Sequence, residues 1–228
     1  MMSTANRPPV PKIRDDVAIV VPSNVNASVN AVASKLAAAL SSQVPSIRVM
    51  TLSQAAAVDL GNTASVALLE ADTPFLQTVD ATGFVEMKHI LLASKKTLWI
   101  TRGGAMDSPQ PGANLIAGLG RTIRAEIPSF QLTTLDLDPL ASIEADETVA
   151  SIEQVLHFTA QDESVDCPDW EYAVREEHIH SLRLTPNKIL NAMFEASKTD
   201  QTPEMLPFHR PDRALALAIK TPGILDTL

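Results

Sequence analysis

Residues 96–126, KTLWITRGGAMDSPQPGANLIAGLGRTIRAE, decide how this chain is read. Thr97-Leu98-Trp99-Ile100-Thr101 is a β-branched and bulky apolar run, long enough for one strand and too short for a buried helix. Arg102-Gly103-Gly104 stops it, and Pro109 and Pro111 mark a loop. The spacing then predicts a helix over 112–127, with Leu115, Leu119 and Ile123 on its inward stripe and Arg121, Arg124 and Glu126 outside. Strand, glycine stop, loop and helix make half of a parallel α/β unit.

Working outward, the same alternation recurs on both sides. Residues 17–21 (VAIVV) form a continuous apolar run ended by Pro22-Ser23-Asn24, as expected of a strand covered on both faces. Residues 28–42 predict an Ala-rich helix with Val29, Val32, Leu36 and Leu40 inward. Strands are expected at 47–52, 64–69 and 131–137, and a short helix at 53–60. A helix over 84–93 is expected to bury Val85, Met87, Leu91 and Leu92, and one over 142–159 to bury Ile143, Val149, Ile152, Val155 and Leu156. Residues 170–184 alternate as one long strand or a tight hairpin. Strands separated by helices imply a mostly parallel sheet with helices on both faces, a truncated Rossmann-like α/β domain over residues 15–185. Residues 1–14 read as a linker or disordered tail. Residues 186–228, with Pro186, Pro203, Pro207, Pro211 and Pro222, read as an irregular connector with one short strand at 214–219.

Composition narrows the function. The chain has 228 residues, a net charge of −9 and 45% hydrophobic content, so nucleic acid is not an expected partner. The single cysteine, Cys167, rules out an internal disulfide and suits a cytoplasmic setting. No apolar run reaches the roughly 20 residues of a membrane span.

A Rossmann-like sheet suggests a dinucleotide, and the residues argue against one. Backbone N–H groups approach a pyrophosphate through glycines after the first strand, whereas this chain has Pro22-Ser23-Asn24-Val25-Asn26-Ala27-Ser28. After the second strand come Met50-Thr51-Leu52-Ser53, without the acid that would hold a ribose. Gly103-Gly104 reads as a tight turn and Gly118-x-Gly120 as close helix packing. Tyr172 has no lysine about four residues away to lower its pKa for proton donation and reads as a sheet-edge aromatic. His178 and His180 share a strand face without a third metal ligand. Asp136 and Asp138 read as caps of the turn before Pro139, and Glu144, Asp146, Glu147, Asp162 and Glu163 as solvated surface. No catalytic, cofactor-binding or metal-ligating residue is expected, and no cofactor.

The segments LLASKKTLWITRGG, GLGRTIRAE, LTTLDLD and DWEYAVREEHIHSLRL, in that order, resemble the pseudo-ketoreductase (structural ketoreductase) segment of fungal highly reducing polyketide synthases. Residues 214–228 resemble the first residues of the enoyl reductase domain that follows in such synthases. The resemblance implies a non-catalytic structural module of secondary metabolism, not an enzyme as it stands. It would pack against ketoreductase and enoyl reductase domains in cis or in trans, with residues 186–228 leading into an absent enoyl reductase. Its docking face is expected along residues 170–184. A small NADPH-dependent reductase with an atypical site, and a functionless remnant of a truncated synthase gene, remain as alternatives.

Overall fold

A computed structural model of the protein describes residues 13–160, 169–183 and 186–198. Seven strands form one sheet: β1 (Asp16–Val21), β2 (Ile47–Thr51), β3 (Thr63–Ala67), β4 (Lys96–Arg102), β5 (Leu132–Leu137), β6 (Glu171–Arg175) and β7 (His178–Ser181). Their order is β2-β1-β3-β4-β5-β6-β7. Every neighbouring pair is parallel except β6 and β7. The expected α/β fold with a mostly parallel sheet is therefore the observed one.

The period-two alternation of each strand splits the interior in two. Val17, Ile19 and Val21 of β1, with Leu98 and Ile100 of β4, meet α1 (Ala27–Leu40) and α6 (Asp146–Ala160) on one face. Ala18, Val20 and Trp99 meet α2 (Leu52–Ala56), α4 (Ala81–Ala93) and α5 (Leu115–Glu126) on the other. A short helix, α3 (Phe75–Thr78), follows β3, and a 3-10 turn over Pro111–Asn114 leads into α5.

Several details differ from the sequence reading. In α5, Leu119 and Ile123 of the expected stripe pack against the core, joined by the buried Ile116, Ala117 and Gly120, while Leu115 is 50% exposed. In α4 the buried residues are Met87, Ile90 and Leu91, while Val85 and Leu92 point outward. Residues 170–184 contain a hairpin: Glu176 and Glu177, at φ of 50° and 64°, form the two-residue turn between β6 and β7.

Chain contacts divide the protein into two compact units, Met1–Leu182 and Arg183–Leu228. The second unit contains α7 (Lys188–Lys198), capped by Asn187 through its Oδ1 and Leu190 N–H at 3.0 Å. An irregular tail was expected there. The prolines at 186 and 203 obscured the helical spacing of Ile189, Leu190, Met193 and Phe194 between them. Cys167, Asp162, Glu163 and the strand expected at 214–219 lie outside the described residues.

Two glycines near β4 give opposite expectations. At Gly104 a Cβ would sit 2.9 Å from the backbone of Ala113 and Asn114, so Gly104→Ala is expected to cost about 1–3 kcal/mol. Of the close packing read for Gly118-x-Gly120, Gly120 shows it, with a Cβ 3.0 Å from Leu132 Cδ2, whereas at Gly118 a Cβ meets nothing within 4 Å. Gly118→Ala is therefore expected to stabilise by up to about 1 kcal/mol through helix propensity. Urea unfolding of the two variants checks the pair.

Candidate functional site at the carboxyl end of the sheet

In an open parallel sheet, ligands lie outside the carboxyl ends of the strands where the strand order reverses. Here that point falls between β1 and β3. The loop after β1 contains Pro22, which has no N–H to offer, and Val25, whose side chain packs on the core. Asn26 caps α1 by accepting from Val29 N–H at 2.8 Å. Its Nδ2 donates to Asp72 Oδ2, 2.7 Å away and beyond the end of β3. The N-terminus of α1 thus faces a protein carboxylate and no glycine. At the end of β2, Thr51 is engaged in a capping box with Gln54. These residues do not fit a dinucleotide held by its pyrophosphate and ribose in the usual way.

A second acid, Glu70, lies just past β3 and is 1% exposed. Its Oε2 accepts from Trp99 Nε1 at 2.9 Å and its Oε1 from Leu76 N–H at 2.8 Å. Pro74, at the N-cap position of α3, provides no side-chain cap, so Glu70 caps this helix from a distance. Burial pushes its carboxyl up to about 7; the donors from Leu76, Trp99 and Phe75 pull the other way.

The third group lies at the ends of β4, β5 and β6. Asp136 is 3% exposed and accepts four hydrogen bonds. Thr101 Oγ1 donates to Oδ1 at 2.9 Å, Gly104 N–H to Oδ1 at 2.8 Å and Ala105 N–H to Oδ2 at 3.0 Å. Arg175 Nη2 completes the set at 2.8 Å from Oδ2. Arg175 also donates to the carbonyls of Leu137 and Ala105, pinning the loop over the strand ends. That loop needs pinning: Gly103 has φ 71°, and Met106, Asp107 and Ser108 are all left-handed. Arg102 fastens the neighbouring loop through the carbonyls of Pro139 and Ala141.

Glu171, at the start of β6, takes a two-pronged grip from Arg121 at 2.7 and 2.5 Å. Arg124 donates to the Leu132 carbonyl at 2.7 Å and lies 5.2 Å from the centre of the Trp170 ring. Thr101, Arg102, Gly104, Arg121, Arg124, Asp136, Glu171 and Arg175 all belong to the four segments on which the family resemblance rests. Thr101, Arg102, Gly104, Asp136 and Arg175 form a clasp at the carboxyl end of the sheet, while Arg121, Arg124 and Glu171 tie α5 to the amino ends of β5 and β6.

Asp138 caps its turn as expected, accepting from Leu140 N–H at 2.9 Å and Glu176 N–H at 3.1 Å. Those amides hold its carboxyl below the usual carboxylate range, Leu140 first. Asp136 was expected to be a second turn cap, and here the sequence reading is corrected. Its side chain points into the sheet interior and organises the loop above, because β5 alternation puts it on the Trp99 side. Tyr172 lies partly buried with its ring 6.2 Å from that of Phe158, and His178 and His180 are exposed on the edge strand. Among the described residues no three His, Cys, Asp or Glu side chains could hold a metal ion. Sequence reading missed Glu70 and Asp72. The available signal was two acids directly after the all-apolar strand end ALL, in LLEAD.

A mostly parallel sheet of this order, reversing between β1 and β3 and covered by helices on both faces, defines a doubly wound, Rossmann-like α/β domain. More particularly, residues 13–184 match the family model described as HRPKS sdrA-like, NAD(P)-binding Rossmann-fold domain, and the chain belongs to that family. It is 34% identical over 166 residues to a reducing polyketide synthase of Gibberella moniliformis, covering 72% of this chain and 7% of that protein. With a highly reducing polyketide synthase of Emericella nidulans it shares 38% identity over 173 residues, again covering 72% and 7%. The chain spans about 7% of the length of these relatives. A solved C2-type ketoreductase from a modular polyketide synthase is similar at 18% identity and a TM-score of 0.48, covering 74% of this chain and 39% of that one. The expectation that the chain is not an enzyme is overturned by the family match: it belongs with NAD(P)-binding, reductase-type domains of polyketide synthases. The missing Tyr–Lys pair and glycine turn had suggested otherwise, but they test only one arrangement of such a site.

Proposed function

We propose that this protein is a reductase-region domain of a highly reducing polyketide synthase, working in the cytoplasm and packing against ketoreductase and enoyl reductase domains so as to hold them in position. The observation that carries this reading is α4. Its inner residues Met87, Ile90 and Leu91 are buried, and its outer side exposes Phe84 at 47%, Val85 at 65% and Leu92 at 54% beside Lys88 and His89. Three large apolar side chains exposed together on one helix face, rimmed by polar ones, are what a protein partner covers. Among the described residues of 170–184, the outward side is mostly polar at Glu176, Glu177, His178 and His180, with Leu182 exposed as a single large apolar side chain. Among the described residues no helix is long and apolar enough to cross a membrane.

The test is co-purification with the ketoreductase domain of a related synthase. Wild-type protein is expected to bind and to raise the partner's melting temperature. The double variant Phe84→Glu, Leu92→Glu keeps its own melting temperature and loses at least about tenfold in affinity, as removal of central apolar anchors does. Absence of binding by the wild type, or binding that the double variant leaves unchanged, overturns the proposal.

A further inference from the structure

The family description implies a dinucleotide, and the first turn of this Rossmann fold does not fit one. We infer that Asp72 serves as a tethered anion at the N-terminus of α1, taking the place a pyrophosphate would occupy, and so closes the crevice between β1 and β3 to nucleotide phosphates. Helix α1 runs for 14 residues, has no acidic residue in its first turn and presents the positive end of its dipole to the crevice. In a nucleotide-binding relative of this fold that end is satisfied by the ligand's phosphates.

Here the chain satisfies it internally. The Asn26 amide accepts from Val29 N–H with one end and donates to Asp72 with the other, so the carboxylate is coupled to the helix terminus through a single side chain. A phosphate entering the crevice would meet a like charge at contact range. It would also find Pro22 without an N–H and a side chain at every position from 23 to 28. A nucleotide used by this chain must therefore be gripped away from α1.

Asp72→Asn isolates the charge, because the amide oxygen can still accept from Asn26. Asn26→Ser is the second variant: it keeps a helix cap and releases Asp72. The experiment titrates sodium pyrophosphate, and separately NADPH, into the full-length isotope-labelled protein at constant ionic strength while following the amide signals of Ala27, Ser28 and Val29. In the wild type these signals are expected to stay still up to millimolar ligand. In Asp72→Asn pyrophosphate moves them saturably, with affinity at least about tenfold above the wild-type limit, the scale of one removed charge at contact range. Saturable movement of these amides in the wild type by either ligand overturns the inference. So does silence of both variants, since the carboxylate is then not what keeps phosphates out.

Discussion

Asp136→Ala is expected to destabilise the protein by about 3–5 kcal/mol, the largest single-residue effect on this sheet. The substitution strands a positive charge: the Arg175 side chain is 13% exposed and loses its only ion-pair partner among the described residues. It also removes the acceptor for the buried Thr101 hydroxyl and for the N–H groups of Gly104 and Ala105. The three left-handed residues 106–108 then lose the anchor at the base of their loop. Melting temperature should fall by roughly 10 °C or more. Arg175→Met, which removes the guanidinium and leaves Asp136 in place, should cost clearly less than Asp136→Ala, because the carboxylate keeps three donors whereas the guanidinium would keep only carbonyl acceptors and no counter-charge. Equal losses in calorimetry would show that the charge pair is not what organises the loop.

The second large effect is a stability profile set by Glu70. Its carboxyl has an ordinary value of 4.5 and is raised to about 7 in the folded protein. Below the ordinary value both folded and unfolded chains carry the proton and no penalty exists. Between the two values only the folded chain holds it, so stability falls as pH rises. Above about pH 7 the folded protein carries a buried charge, and the gap amounts to about 3 kcal/mol lost relative to mildly acidic solution. Asp138 and Asp146, whose carboxyls lie below their usual range, act oppositely, but only at lower pH. Urea unfolding at pH 5 and pH 8 should therefore find the protein more stable at pH 5. Glu70→Gln should flatten the difference while lowering stability at pH 5 by about 1–3 kcal/mol, because the amide can accept from only one of Trp99 and Leu76 and turns a donor toward the other. A Glu70→Gln protein that retains the full pH dependence would assign it to another group.

What was legible in the sequence was whatever repeats along the chain. The apolar run of β1, the stripe of α1 and the residues Val149, Ile152, Val155 and Leu156 of α6 sit where their spacing put them, because tertiary packing reinforces a pattern already present locally. What was illegible depends on contacts between distant segments. Asp136 reads as a turn cap until β6 brings Arg175 alongside it across 39 positions. Glu70 drew no reading at all, because only the fold brings the Trp99 indole and the Leu76 amide to it. In α5 the stripe was legible at Leu119 and Ile123, but not at its first residue, Leu115, which lies where the 3-10 turn meets the helix. The site was misread for the same reason: its acids follow β3, and their partners come from β4, α3 and the α1 cap.

The sheet is also a partition. Ile19 and Val20 are consecutive in the chain, yet one belongs with α1 and α6 and the other with α2, α4 and α5. The two sides share a backbone but few side-chain neighbours. A substitution on the outer side of α4 therefore lies a whole sheet thickness away from the α1 and α6 layer, and its effect should stay on its own side of the backbone.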